Sequence, residues 1–145
     1  MVAQERSAGV IIYRREGADI RFLVLFKKYK GTYWDLVKGH YETGETARDT
    51  AIREAKEEAG IDDLQFINGF KQKVVWLYRK DGRLTRKAVT YFLAETKTTA
   101  VKISREHLKP AWFTLAEAER VIKLKDTKKL LRKADVFLRK QAAKR

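Results

Sequence analysis

The 145-residue sequence contains no cysteine. That excludes a disulfide framework, a thiolate metal site and a cysteine nucleophile. It has one proline, Pro110, and no Ser/Pro linker, low-complexity stretch or internal repeat. One compact domain over residues 1–145 is therefore expected. No apolar run approaches the ~20 residues that a membrane span needs. Met1 to Ser7 is short and polar, and nothing after it resembles a secretion signal. The expected location is cytoplasmic, without a membrane partner.

Acidic residues are also scarce relative to basic ones: 19 Asp+Glu stand against 33 Lys+Arg, a net charge of +14. Such a surface attracts phosphates, whether on nucleotides, RNA or anionic lipid. Charge speaks to encounter, not to chemistry. Hydrophobic residues make up 44% and aromatics 11%, a globular composition rather than a disordered one.

Two apolar runs, Ala8–Tyr13 and Arg21–Phe26, read as strands buried on both faces, with Gly17 in the turn between them. Tyr33–Val37 is a short third strand. A glycine-bearing loop from Gly39 to Gly44 leads to a helix over Thr46–Ala59, stopped by Gly60. Strands follow at about Gln65–Phe70, Val74–Tyr78 and Ala88–Glu95, with Asp81-Gly82 as a turn signal. Val101–Ile103 and Trp112–Thr114 suggest further short strands, with Pro110 marking an irregular approach to the latter. A basic amphipathic helix is expected at about 126–140. Leu130, Leu131, Ala134, Phe137 and Leu138 share its apolar face. Residues 121–145 hold ten Lys/Arg and two Asp, so +8 of the +14 lies there.

The chemistry-bearing segment runs from Gly39 to Ile61. On a helix, Glu54, Glu57 and Glu58 stand at i, i+3 and i+4, which places their carboxylates on one face. Ala47, Ala51, Ile52, Ala55 and Ala59 make the adjoining small, apolar face that can dock on a sheet. Each like-charge i,i+4 pair costs about 0.2–0.5 kcal/mol. Neither Glu54 nor Glu58 has a cation one turn away on its own helix. Arg53 lies four residues before Glu57 and can also reach Glu45. A hard divalent cation would relieve the repulsion: magnesium takes oxygen ligands and is commonly held by one or two carboxylates together with substrate phosphates.

The order Gly39, Glu45, Arg53-Glu54, Glu57-Glu58, Gly60-Ile61 resembles the signature of the Nudix hydrolase family. All seven defining positions are matched. Ala55 stands where a larger aliphatic residue is commoner. The resemblance covers nearly the whole chain and implies the Nudix fold, an α+β domain in which helices sandwich a central mixed β-sheet. It implies Glu54, Glu57 and Glu58 as metal ligands, joined by the Gly39 carbonyl, with Arg53 and Glu45 bracing the loop and helix. Magnesium is the implied cofactor, with manganese as the alternative ion.

Trp34-Asp35-Leu36-Val37-Lys38-Gly39-His40, Gly69-Phe70-Lys71, Lys87–Glu95, Glu106-His107 and Trp112 are most similar to the branch of asymmetrical bis(5′-nucleosyl)-tetraphosphatases. That similarity implies Lys38, His40 and Lys87 as phosphate contacts and Tyr91 as a nucleotide contact. It suggests Glu106 as an auxiliary metal or base residue. Val37 replaces the branch's proline. Pro110 stands near the place of a second base-stacking aromatic, for which Tyr33, Tyr41 or Trp76 is a candidate substitute. Taken singly, Lys38 reads as a surface lysine, His40 suits a structural hydrogen bond, and Tyr91 suits core packing.

The implied reaction is magnesium-dependent hydrolysis of diadenosine tetraphosphate to ATP and AMP. Water would be positioned or deprotonated by Glu58 or Glu54. Two rival readings remain open: pyrophosphate or cap removal at RNA 5′ ends, with RNA as partner, and a non-catalytic nucleotide- or RNA-binding module on the same fold.

Overall fold

The computed structural model describes residues 2–105 and 107–144. Seven strands and three helices follow in the order β1 (Ala3–Glu16), β2 (Asp19–Lys28), β3 (Thr32–Asp35), β4 (Val37–His40), α1 (Ala47–Ala59), β5 (Gln65–Lys80), β6 (Arg83–Glu95), β7 (His107–Phe113), α2 (Leu115–Val121) and α3 (Lys125–Ala143). The fold is the expected α+β arrangement around a mixed sheet. The β1–β6 pair is parallel and the other pairs are antiparallel. The strand path is β3-β2-β1-β6-β5, with β4 also on β1 and β7 also on β2. No described helix is long and apolar enough to cross a membrane.

One edge of β1 serves two partners. Its first half pairs with β4, Ser7 opposite His40 and Gly9 opposite Lys38. Its second half pairs with β2, Tyr13 opposite Phe22. The strand's period of two divides its apolar run between two cores. Val10 and Ile12 face α1 with Ala51, Ala55 and Ala59. Ile11 and Tyr13 face the α2–α3 side with Leu130, Leu131, Ala134 and Leu138.

Helix α1 is specified at both ends. Thr46 and Asp49 form a reciprocal capping box, and Gly60 ends the helix at φ 66°, in the left-handed region. Ile52 does not join the docking face: it is 43% exposed. At 100° per residue it lies about 100° round from Ala51 and about 60° from Ala55, at the rim of that face.

Other expectations need adjustment. Tyr33–Val37 is divided between β3 and β4 at Leu36. The two expected strands between Gln65 and Tyr78 form one long strand, whose register jumps between Phe66 and Lys71. Residues 101–103 have no strand pairing. Pro110 lies inside β7, opposite Leu25. The missing N–H is tolerated because, among the described residues, β7 pairs only with β2 and forms an edge. Helix α2 was not expected; its signal is the Thr114–Glu117 capping box.

Candidate active site

The start of α1 is organised by Arg53. Its Nε donates to Glu45 Oε2 at 2.8 Å and its Nη2 to Glu45 Oε1 at 3.0 Å. Nη2 also donates to the His40 carbonyl at 2.8 Å. Nη1 reaches Glu54 Oε1 at 2.7 Å and Glu57 Oε2 at 3.1 Å. One guanidinium thus ties the end of β4, the loop and the helix together, a task for its planar fork of donors. The Arg53 hydrogen bonds, aided by the Glu42 N–H and the Thr50 hydroxyl, hold the Glu45 carboxyl down at about 2.

Glu54 is half-buried. Burial raises its carboxyl above the ordinary range, and the charges of Glu58 and Glu57 add to this, while the hydrogen bond from Arg53 offsets part of it. Gly39 passes directly beside it. A Cβ at Gly39 would fall on the Glu54 carboxylate, so only glycine lets β4 approach α1 this closely.

Glu58 is 8% exposed, and both its oxygens are engaged. Oε1 accepts the Lys38 backbone N–H at 2.9 Å. Oε2 lies 3.0 Å from His107 Nε2 and 3.7 Å from Lys27 Nζ. The other ring nitrogen, His107 Nδ1, lies 2.6 Å from Ser104 Oγ. Along their own helix, neither Glu54 nor Glu58 has a cation one turn away. The structure supplies cations by other routes: adjacent Arg53 for Glu54, and strands β2 and β7 for Glu58.

These groups line one cleft of about 680 Å³. Glu54, Glu57, Glu58 and Gly39 lie on one wall, and Lys27, Lys38, His40 and Lys87 complete it. Lys87 is half-buried; burial and the neighbouring Lys38 charge lower its pKa. The Lys38 ammonium sits 3.2 Å from Asp35 Oδ2. Asp35 is fully buried, and its Oδ1 accepts the Leu36 N–H and the Thr127 hydroxyl of α3. Burial opposes its charge, but Lys38 and Lys27 outweigh that and hold the carboxyl below its usual range. His40 Nδ1 lies 3.3 Å from Ser7 Oγ.

Tyr91 does not share this cleft. It is 2% exposed and packs in the α2–α3 core. It borders a separate pocket of about 270 Å³ with Trp76, Leu124 and Asp126, which meets the cleft at Lys38. Glu106 lies outside the described residues. Lys27, Asp35 and Thr127 were not singled out from sequence. The available signal was a charged residue, Lys27 or Asp35, close to a run of apolar strand positions.

Among the described residues, no three His, Cys, Asp or Glu side chains converge as a ready-made metal cage. Arg53, Lys27 and His107 hold the carboxylates in ion pairs instead. The donor set is nonetheless chemically suited to a hard divalent ion. It is all oxygen, shares a helix face, and includes one carboxylate made less acidic by burial and like charge.

A mixed sheet flanked by helices, with a glycine-entered loop leading to a carboxylate-bearing helix over a lysine-lined cleft, defines a Nudix domain. The chain belongs to the Nudix family: the NUDIX domain pattern matches residues 3–134. Hydrolases of this family generally depend on divalent metal ions. The chain is 37% identical over 148 aligned positions to the asymmetrical bis(5′-nucleosyl)-tetraphosphatase of Sus scrofa, covering 95% of this chain and 98% of the relative. The structure resembles a Caenorhabditis elegans Ap4A hydrolase binary complex, with TM-score 0.82 and 34% identity over 92% of this chain and 97% of that one. It also resembles the Escherichia coli dihydroneopterin triphosphate pyrophosphohydrolase, with TM-score 0.75, 25% identity and the same two coverages, 92% and 97%.

Proposed function

We propose that the protein adds water across one phosphoanhydride bond of diadenosine tetraphosphate, giving ATP and AMP. The observation that carries this reading is the meeting of a carboxylate row with Lys27, Lys38 and Lys87 in one cleft. Full-length similarity to asymmetrical bis(5′-nucleosyl)-tetraphosphatases supports the choice of substrate. Magnesium, or manganese in its place, would be held by Glu54, Glu57 and Glu58 with the Gly39 carbonyl, and would supply charge neutralisation at the phosphates.

The chain's own residues do the positioning. Lys38, Lys87 and His40 bind phosphate oxygens; a lysine ammonium is a compact partner for them. Arg53 and Glu45 keep the loop fixed on α1. Glu58, held by the Lys38 N–H and His107, orients its neighbours. Glu58 or Glu54 positions or deprotonates the attacking water. Trp76, on the wall of the adjoining pocket, offers a stacking face for a base. Tyr91 supports that pocket from the core. A cytoplasmic location accords with a chain free of cysteine.

The test is a magnesium-dependent screen of dinucleoside polyphosphates, nucleoside triphosphates and 5′-triphosphorylated RNA, with products identified by mass. AMP and ATP in equal amounts are expected from the dinucleotide, with turnover abolished by a chelator. Two molecules of ADP would contradict the asymmetric cut. Faster release of pyrophosphate from the RNA would favour the 5′-end reading. Binding without any product would favour a non-catalytic module.

A further inference from the structure

Helix α3 lies along β5, a strand that among the described residues pairs only with β6 and so leaves one edge of backbone groups without a strand partner there. Three hollows follow one another along this seam, of about 270, 190 and 450 Å³. Each shares wall residues with the next. Lys38 joins the carboxylate cleft to the first. Val74, Asp126 and Leu130 join the first to the second. Gln72, Lys129 and Lys133 join the second to the third, which ends at Lys140. Asp126 is the one carboxylate among the described walls of these three hollows. Among the described residues, Lys125, Lys129, Lys133 and Lys140 form no ion pair, whereas Arg132 is held by Glu119.

We infer that this seam binds a single-stranded polynucleotide, with a phosphorylated end in the carboxylate cleft and the backbone running along α3. The fifteen-residue rise from Lys125 to Lys140 spans about 22 Å. At ~3.4 Å per phosphate of a stacked strand, that is room for roughly six phosphates. Trp76 at the near end and the partly exposed Phe137 at the far end supply aromatic surface between the lysines. A dinucleotide polyphosphate would leave the far hollows unused. A flat anionic bilayer fits poorly, because the track is concave and the apolar stripe of α3 (Leu130, Leu131, Ala134 and Leu138) is already buried in the core. The inference goes beyond the proposed reaction and does not require it.

The experiment measures anisotropy of 3′-labelled, 5′-monophosphorylated RNA on the full-length protein, with about 12 nucleotides compared with about three. The longer RNA should bind about tenfold more tightly, with a steeper dependence on salt. The Lys129→Glu/Lys133→Glu/Lys140→Glu variant should lose about tenfold in affinity for the longer RNA and flatten the salt slope. Its hydrolysis of diadenosine tetraphosphate should match the unmodified protein, which also reports on its folding. Should that variant fold poorly, the Lys→Gln version at the same three positions should show a smaller loss in the same direction. Binding independent of RNA length, unchanged affinity in both variants, or equal affinity for polyglutamate or anionic vesicles would overturn the inference. Length-dependent RNA binding without any dinucleotide hydrolysis would instead overturn the proposed reaction and leave the track standing.

Discussion

The two long helices flanking the sheet carry charge in opposite ways. On the cleft face of α1 the ionic groups are paired: Arg53 alone engages Glu45, Glu54 and Glu57, and Glu58 is met by His107 and Lys27. On α3 the apolar stripe is buried, yet several lysines have no carboxylate partner among the described residues. The first helix uses charge to fix geometry in a partly desolvated cleft, where each group's position matters. The second displays charge to solvent, where it acts at longer range and is screened by salt. The same types of side chain therefore serve precision in one place and attraction in another.

The largest effect that would break this contrast is expected on α1. Glu58→Gln should reduce kcat by several orders of magnitude while the far-ultraviolet spectrum stays that of the folded, unmodified protein. Near-normal turnover would show that the paired carboxylates of α1 are only structural. Steady-state kinetics with saturating magnesium reads this directly.

An intermediate effect should arise where the two regions touch. Asp35 joins Lys38 of the cleft to Thr127 of α3. Its folded carboxyl lies below its ordinary value. The stability it contributes is therefore complete above the unfolded pKa of about 3.9 and is lost as pH falls through the lower, folded value. Asp35→Asn should cost about 1–3 kcal/mol near neutrality, because a buried hydrogen-bonded charge is removed while its cationic partners remain. It should also flatten the acid limb of the stability profile. Urea denaturation from about pH 3 to pH 7 would check both; an unchanged acid limb would show that Asp35 does not couple the regions.

The smallest effect belongs to the exposed side of α3. Arg132→Ala removes the Arg132–Glu119 pair, whose arginine is more than half exposed. No measurable change in melting temperature is expected, since such pairs are screened by water and salt. A clear drop would mean that α3 also uses its charges for structure.

Much of this was legible in the residues. The helix from Thr46 to Gly60 could be read from its caps, and the i, i+3, i+4 spacing of Glu54, Glu57 and Glu58 put them on one face. Gly17 and Asp81-Gly82 marked turns that the strand registers confirm. The pairing partners of those glutamates were not legible. Lys27 and His107 reach Glu58 from 31 and 49 positions away in the chain, brought there by β2 and β7. Tyr91 read equally well as a nucleotide contact or a core residue until the sheet turned it inward.

The sequence by itself determined the local features: where α1 starts and stops, which carboxylates it presents together, and how basic the surface would be. These follow from spacing along one element and from composition, which chain connectivity sets. Only the tertiary structure decided which cations neutralise which acids, that Asp35 would bridge the cleft to α3, and that the lysines of α3 would border a seam continuous with the cleft. Such pairings depend on the order in which strands assemble and on which groups lose water together, and no local pattern of residues encodes either.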